Sequence, residues 1–427
     1  MRPTPALTGM KAFSLIWLGQ VVSLLGSAMT WFAFTIWAWQ ETGQATALST
    51  VSFFAFLPTV LLTPVAGALV DRWDRKRVML FSDMATALAT LVVLLLYRAD
   101  ALQLWHIYAI SVVAGFFTAF QYPAYTAAVT TLLPKEHYTR AEAMLGLATA
   151  LSGILAPVFA AALLGRIGMD GIMLIDLATF LAAFATLMIV RVPPPAVSDV
   201  GRASRGNLWQ ETLFGFGYIR QRRGLRGLAV LFMAGNFFIA IGATLMAPMI
   251  LSWSGDSESL LASVQSIGAV GGVAGGALLA FWGGPKRRIH GVLLGGVGAG
   301  LLGILWLGLG RALLVWGLGS FFFSFFEPFV ESGNIAIWQS KVEADVQGRV
   351  FAARHLLVQL PYLTGILVSG PLAERGLGPL FRYFGGTSPG AESGSGMALG
   401  LALAAIGAAA AFGSGYAFAS IRQVEDA

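Results

Sequence analysis

The chain has 427 residues, of which 57% are hydrophobic and only 11% charged, and a net charge of +6; its mean hydropathy is +0.75. A soluble domain carries about a quarter charged residues, so this composition excludes an ordinary soluble protein and indicates a polytopic membrane protein. Cysteine is absent, which excludes disulfides and thiolate metal sites, and the histidines (His106, His137, His290, His355) lack ligand spacing.

Met1 to Lys11 is short and polar, and the apolar run behind it is too long for the core of a cleaved leader. Apolar runs then fall at about 12–39, 46–70, 78–97, 103–132, 141–165, 171–191, 225–251, 259–282, 290–309, 312–338, 349–371 and 396–421. Most match the ~20 residues that cross a bilayer as a helix. Between runs two and three lies a charged loop, Gly67-Ala-Leu-Val-Asp71-Arg72-Trp-Asp74-Arg75-Lys76-Arg77. Asp71 can accept hydrogen bonds from a helix N-terminus, whose dipole favours a negative charge. Arg72, Arg75 and Lys76 can bridge to acids on neighbouring helices, with Asp83 the expected partner.

The longest polar stretch, about 192–224, opens on three prolines, which cannot continue a helix, and then resumes a helical pattern from Asn207. Its aromatic and basic residues suit an amphipathic helix in the membrane interface. Beyond it the charged loop returns in reduced form, Gly276 to Arg288, with Ala280 where the first copy has Asp71. Gly115 to Pro123 in run four likewise matches Ser320 to Pro328 in run ten. The expected fold is therefore an all-α membrane protein, with twelve transmembrane helices in two pseudo-symmetric six-helix bundles. Residues 1–191 and 225–427 form the bundles, and 192–224 form a linker.

All but five of the 27 Lys and Arg residues fall on one side of the alternating loops. The positive-inside rule makes that side cytoplasmic and puts both termini there. The basic balance is thus a topology signal, and no nucleic-acid partner is expected.

Run ten holds two acids inside the membrane, Glu327 and Glu331. Glu327 lies about 20 Å below the outer end at ~1.5 Å per residue. A carboxylate at that depth costs about 2.5–3.5 kcal/mol to insert. Two of them one turn apart repel when both are ionised, which suits groups that gain and lose a proton. Structural pairing with an arginine and direct binding of a cationic substrate are the alternatives. Glu327, Glu331, Asn334 and Trp338 share one helix face, and Tyr122 is the counterpart of Glu327 in run four. Asp176, in run six, reads as a structural or outer-gate residue. Gln20, Ser27, Trp31 and Phe34 in run one, Gln121, Tyr122 and Tyr125 in run four, Asn236 in run seven, and Phe323 and Asn334 in run ten suit a cavity for a bulky amphiphile.

The pattern Gly67-x-Leu69-x-Asp71-Arg72-x-x-Arg75-Lys76 resembles the loop 2–3 signature of the major facilitator superfamily, with Asp74 where a second glycine is usual. The resemblance covers essentially the whole chain. It implies the major facilitator fold, a cavity wall that includes runs four and ten, and a cytoplasmic gate of Asp71, Arg72, Arg75, Lys76, Asp83 and Arg349, in which Asp71 meets the start of run eleven. Ala143, Ser152 and Ala156-Pro157 in run five are similar to an antiporter signature with small residues in place of glycines. Glu211 to Arg220 and Gln347 to Phe351 resemble the branch that includes macrolide and enterobactin exporters.

The function this implies is secondary active export of an amphiphilic, drug- or siderophore-like molecule by alternating access in exchange for protons. A monomer in a bacterial-type cytoplasmic (inner) membrane is expected, with lipids, protons and a small organic substrate as partners. No cofactor beyond the proton gradient is expected. A lipid or lysolipid flippase, or a uniporter with structural acids, is the alternative. A membrane enzyme would need a nucleophile–base or metal constellation, which the sequence lacks. A receptor or scaffold would not need the acid pair.

Overall fold

The computed structural model describes residues 9–70, 73–134, 137–190, 208–343, 346–383 and 392–426. The regular elements among them are all helical. In chain order they are α1 (Gly9–Thr42), α2 (Ala45–Val70), α3 (Arg75–Arg98), α4 (Leu104–Leu132), α5 (Tyr138–Ile189), α6 (Leu208–Gln221), α7 (Arg223–Ser254), α8 (Glu258–Trp282), α9 (Arg288–Gly298) and α10 (Leu305–Leu309). Then follow α11 (Leu313–Lys341), α12 (Gln347–Pro371), α13 (Gly378–Tyr383), α14 (Glu392–Ser414) and α15 (Ala419–Arg422). Single π-helical segments, Ala299–Ile304 and Leu372–Leu377, join α9 to α10 and α12 to α13.

Among the described residues 11 helices are long and apolar enough to cross a membrane. One lies in α5, which is 52 residues long. That is about 78 Å at 1.5 Å per residue, more than twice a ~30 Å hydrocarbon layer. Gly168 interrupts it with φ 68° and ψ 178°, a backbone region open essentially to glycine alone. Two successive spans therefore lie within α5, and the expected twelve are present.

The burial pattern of α3 is that of a helix in lipid. Phe81, Met84, Leu88, Leu91, Val92 and Leu95 form an exposed apolar stripe at helical spacing, while Ser82, Asp83 and Thr90 are buried. A water-soluble helix would turn its apolar stripe inward and its carboxylate outward. Asp74, the departure from the family signature, caps this helix: its side chain accepts a hydrogen bond from the Arg77 amide at 3.0 Å.

The chain divides into two compact units, residues 1–37 with 54–205 and residues 38–53 with 206–427. The first has a core around Phe13, Ile16, Met79 and Leu187; the second, around Leu228, Phe232, Trp338 and Phe412. In both, the second and fourth spans pack backbone to backbone. In the first unit, a Cβ on Gly115 of α4 would collide with the Ala55 carbonyl of α2. In the second, Gly271 and Gly275 of α8 meet the carbonyls of Phe321 and Phe325 of α11 in the same way. The repeated contact, with the glycines on opposite partners, is the packing counterpart of the repeated sequence.

Residues 38–53, which the sequence groups with the first bundle, belong to the second unit. Their anchors are polar. Trp39 Nε1 donates to Asp256 at 2.7 Å, and Thr46 donates through its amide and hydroxyl to Glu374 at 3.2 and 2.5 Å. The linker helix α6 packs on protein along one side. Tyr218 and Ile219 are buried in the core of the second unit, and Gly215 lies against the Arg349 carbonyl and the Ala353 side chain of α12. Gly215 allows that close approach, while Phe214 one turn before Tyr218 stays exposed.

Candidate functional site

In the first unit α1 runs close to the second half of α5. Gly19 and Gly26, seven residues apart, meet Thr186 and Thr179, also seven apart. This contact positions two polar rungs. In one, Gln20 Nε2 donates to Asp83 Oδ2 at 3.1 Å and Gln121 Nε2 donates to Asp83 Oδ1. In the other, Ser27 Oγ donates to Asp176 Oδ1 at 2.9 Å and Thr90 Oγ1 donates to Asp176 Oδ2 at 3.3 Å. Asp83 and Asp176 are each 5% exposed. Gln20 and Ser27 share one face of α1, and Asp83 and Thr90 share one face of α3, because seven residues are nearly two helical turns. That register was visible in the sequence, but which helix faced which was not.

Asp83 therefore departs from its expected place in the gate. It lies eight residues into α3, about 12 Å from the first turn at 1.5 Å per residue, and glutamines occupy both its oxygens. Arg75 Nη1 donates to the Ala127 carbonyl of α4 at 2.6 Å, and Lys76 Nζ donates to the Met188 and Val190 carbonyls at 3.1 and 2.7 Å. Such cations complement the negative C-terminal end of a helix. The Arg349 guanidinium stands 4.8 Å from the centre of the Phe214 ring. Asp71 and Arg72 lie outside the described residues.

In the second unit the acidic stripe descends α11. Glu327 and Glu331 are open, whereas Asn334 and Trp338 are buried. The expectation that Asn334 faces an open cavity is thus not met. The four residues do share a face, but α12 covers its lower part, with the Arg354 guanidinium 5.6 Å from the centre of the Trp338 ring. Asn334 is fully buried, and neither its Nδ2 nor its Oδ1 has a hydrogen-bond partner. The two glutamates differ in their electrostatic neighbours. Each is the other's carboxylate neighbour one turn away, and the charge of Arg354 on α12 bears on Glu331. Arg354 is thus a functional candidate that is not among the sequence-predicted site residues.

The other expected cavity residues are spread over both units. Tyr122 is 64% exposed and Phe34 only 4%. Trp31 is half-buried, with its ring edge-on to Phe34 at 6.0 Å. The Tyr125 hydroxyl is buried without a partner, and Asn236 is half-buried. Phe323 lines a partly open cavity of about 170 Å³ in the second unit, together with Gly242, Gln265, Ser320 and Ser324.

The comparisons with known proteins agree with this architecture. The family model described as Major Facilitator Superfamily matches residues 16–366. The chain belongs to the major facilitator superfamily. It is 29% identical over 375 residues to macrolide efflux protein A of Streptococcus pyogenes, covering 85% of this chain and 89% of that protein. The multidrug efflux pump Tap of Mycolicibacterium fortuitum is 34% identical over 124 residues, 28% of this chain and 29% of the pump. In fold, the chain resembles a bacterial homolog of the human lysosomal transporter Spinster, with TM-score 0.72 at 16% identity, over 98% of this chain and 99% of that one. The nucleoside transporter NupG gives TM-score 0.71 at 12% identity, over 93% and 98%. The protein is thus a multi-pass membrane transporter of the superfamily and not an enzyme, with relatives named for macrolide and multidrug efflux.

Proposed function

We propose that this transporter exports a bulky amphiphilic organic molecule by alternating access, driven by protons entering in exchange. It would work as a monomer in a bacterial cytoplasmic membrane with both termini on the cytoplasmic side. The observation that carries this reading is the pair of carboxylates one turn apart on the open face of α11, a membrane-spanning helix, with the charge of Arg354 of α12 bearing on Glu331 and not on Glu327. A counter-charge favours a fixed ionised carboxylate. A neighbouring negative charge makes gain and loss of a proton the way to relieve repulsion. Glu327 is accordingly the proton carrier, and Glu331 with Arg354 sets its field. A proton crossing 100 mV releases about 2.3 kcal/mol, enough to bias export. Relatives named for macrolide efflux support a large amphiphile as cargo.

The test is pH-driven efflux of a macrolide probe from proteoliposomes. Glu327→Gln is expected to reduce efflux by at least about tenfold, equal to ~1.4 kcal/mol of driving or barrier free energy, with probe binding retained. Full pH-driven efflux by this variant would exclude Glu327 as the carrier.

A further inference from the structure

We propose that Asp83 is a proton-exchange site of the first unit, separate from Glu327 and Glu331, with Gln20 and Gln121 as its reversible hydrogen-bond partners.

The argument starts from the partners. Asp83 is 5% exposed, on a helix whose opposite face carries the apolar stripe. Its hydrogen bonds come from Gln20 of α1 and Gln121 of α4, one to each carboxylate oxygen. The nearby charged groups are engaged elsewhere. On its own helix, Arg75 and Lys76 reach the carbonyls of Ala127, Met188 and Val190; from α5, Asp176 is held by Ser27 and Thr90. From α4, the titratable group one turn beyond Gln121 is the buried phenol of Tyr125. Asp83 thus has two neutral amides and no ion pair among the described residues.

This partner set differs from that of a structural ion pair. Arginine or lysine can only donate, so it cannot accept from the O–H of a protonated carboxyl. A glutamine amide carries both a donor and an acceptor. With Asp83 ionised, each amide NH₂ donates to an oxygen, the arrangement seen. When a proton adds to Oδ1, the carboxyl becomes a donor, and a flip of the Gln121 amide turns its oxygen to accept. No bond to carbon forms or breaks; one proton enters and one amide rotates. Both states leave the buried group hydrogen-bonded, so neither incurs the cost of an unpaired buried polar atom. Access comes through the glutamines. Both are half-buried, and Gln121 precedes the 64% exposed Tyr122. The amide flip would therefore change the polarity of the α4 face where the sequence places substrate contacts.

The experiment is infrared pH-difference spectroscopy of the purified full-length chain, read in the C=O stretching region of protonated carboxyl groups. The wild type is compared with Asp83→Asn, Asp176→Asn and the double variant Glu327→Gln/Glu331→Gln. One band component is expected to vanish in Asp83→Asn and to persist in the other two. The double variant keeps this proposal separable from the proton-carrier assignment in α11, since either can fail alone. A difference spectrum unchanged in Asp83→Asn overturns the proposal, as does loss of the same component in Asp176→Asn. Should Asp83→Asn fail to fold, Gln20→Leu and Gln121→Leu keep the carboxyl and remove one amide each. Each is expected to displace the pH at which the component appears, and no displacement in either also overturns the proposal.

Discussion

At the residue scale, Arg354 changes the reading of the acid pair. Alternation along α11 identifies Glu327 and Glu331 as equivalent neighbours one turn apart, and only the packing of α12 makes them unequal. The Arg354 guanidinium lies over Trp338 and acts on Glu331, while its Nε has no hydrogen-bond partner. Such a cation can follow a change of charge on the glutamate without losing a fixed bond. Arg354→Gln is expected to displace the pH profile of efflux and to lower its maximum about tenfold, ~1.4 kcal/mol. Arg354→Lys keeps the charge and should keep the profile. A profile unmoved in Arg354→Gln would leave Arg354 with only a packing role. The acids were legible because charge in an apolar run is conspicuous. Arg354 was not, because sequence distance from the cytoplasmic end says nothing about which helix its long side chain crosses.

At the element scale, α6 is a brace on α12. Tyr218 donates its hydroxyl to Glu343, Arg222 donates to the same carboxylate at 3.1 Å, and the Arg222 guanidinium stacks over the Tyr218 ring at 3.4 Å. The Tyr218 hydrogen bond first, then a backbone hydrogen bond and the Arg222 charge, hold the Glu343 carboxyl below the usual glutamate range, while burial and Glu343 push the Tyr218 phenol up. Because the docked form has the lower carboxyl value, its stabilisation is complete above the ordinary glutamate range near about pH 4.3 and is lost as pH falls through the docked value. Tyr218→Phe is expected to reduce the acid-side fall in thermal midpoint between about pH 5 and about pH 3. An unchanged slope in the variant would mean that Glu343 is not the group titrating. The helix itself was legible from its periodicity. Its partner was not, because an amphipathic face fits a lipid interface and a protein groove equally well; Gly215 is what lets one side of it meet α12.

At the scale of the whole molecule, residues 38–53 join the second unit though the chain enters and leaves them through the first. Glu374 holds this segment by accepting from both the amide and the hydroxyl of Thr46, and Gly370 leaves room for the Thr46 backbone. Hydrogen bonds to a charged group contribute about 1.5–3 kcal/mol each. Glu374→Gln is therefore expected to speed amide hydrogen exchange across 38–53 by about 10-fold to 100-fold, leaving α8 and α11 unchanged. Equal exchange in variant and wild type would show that Glu374 does not hold the segment.

The sequence by itself determined the membrane class, the twelve spans, the internal repeat and the acids of α11. Each is a property of composition or of periodicity along one helix, and a bilayer enforces these locally by requiring apolar length and internally satisfied backbone. The tertiary structure alone decided the partners. It gave Asp83 to Gln20 and Gln121 rather than to the basic loop, Arg354 to Glu331, and residues 38–53 to the second unit. Where α1 and the 38–53 segment are concerned, those choices depend on where glycines let helices touch, at Gly19, Gly26 and Gly370. A close approach involves two helices, whereas periodicity describes one.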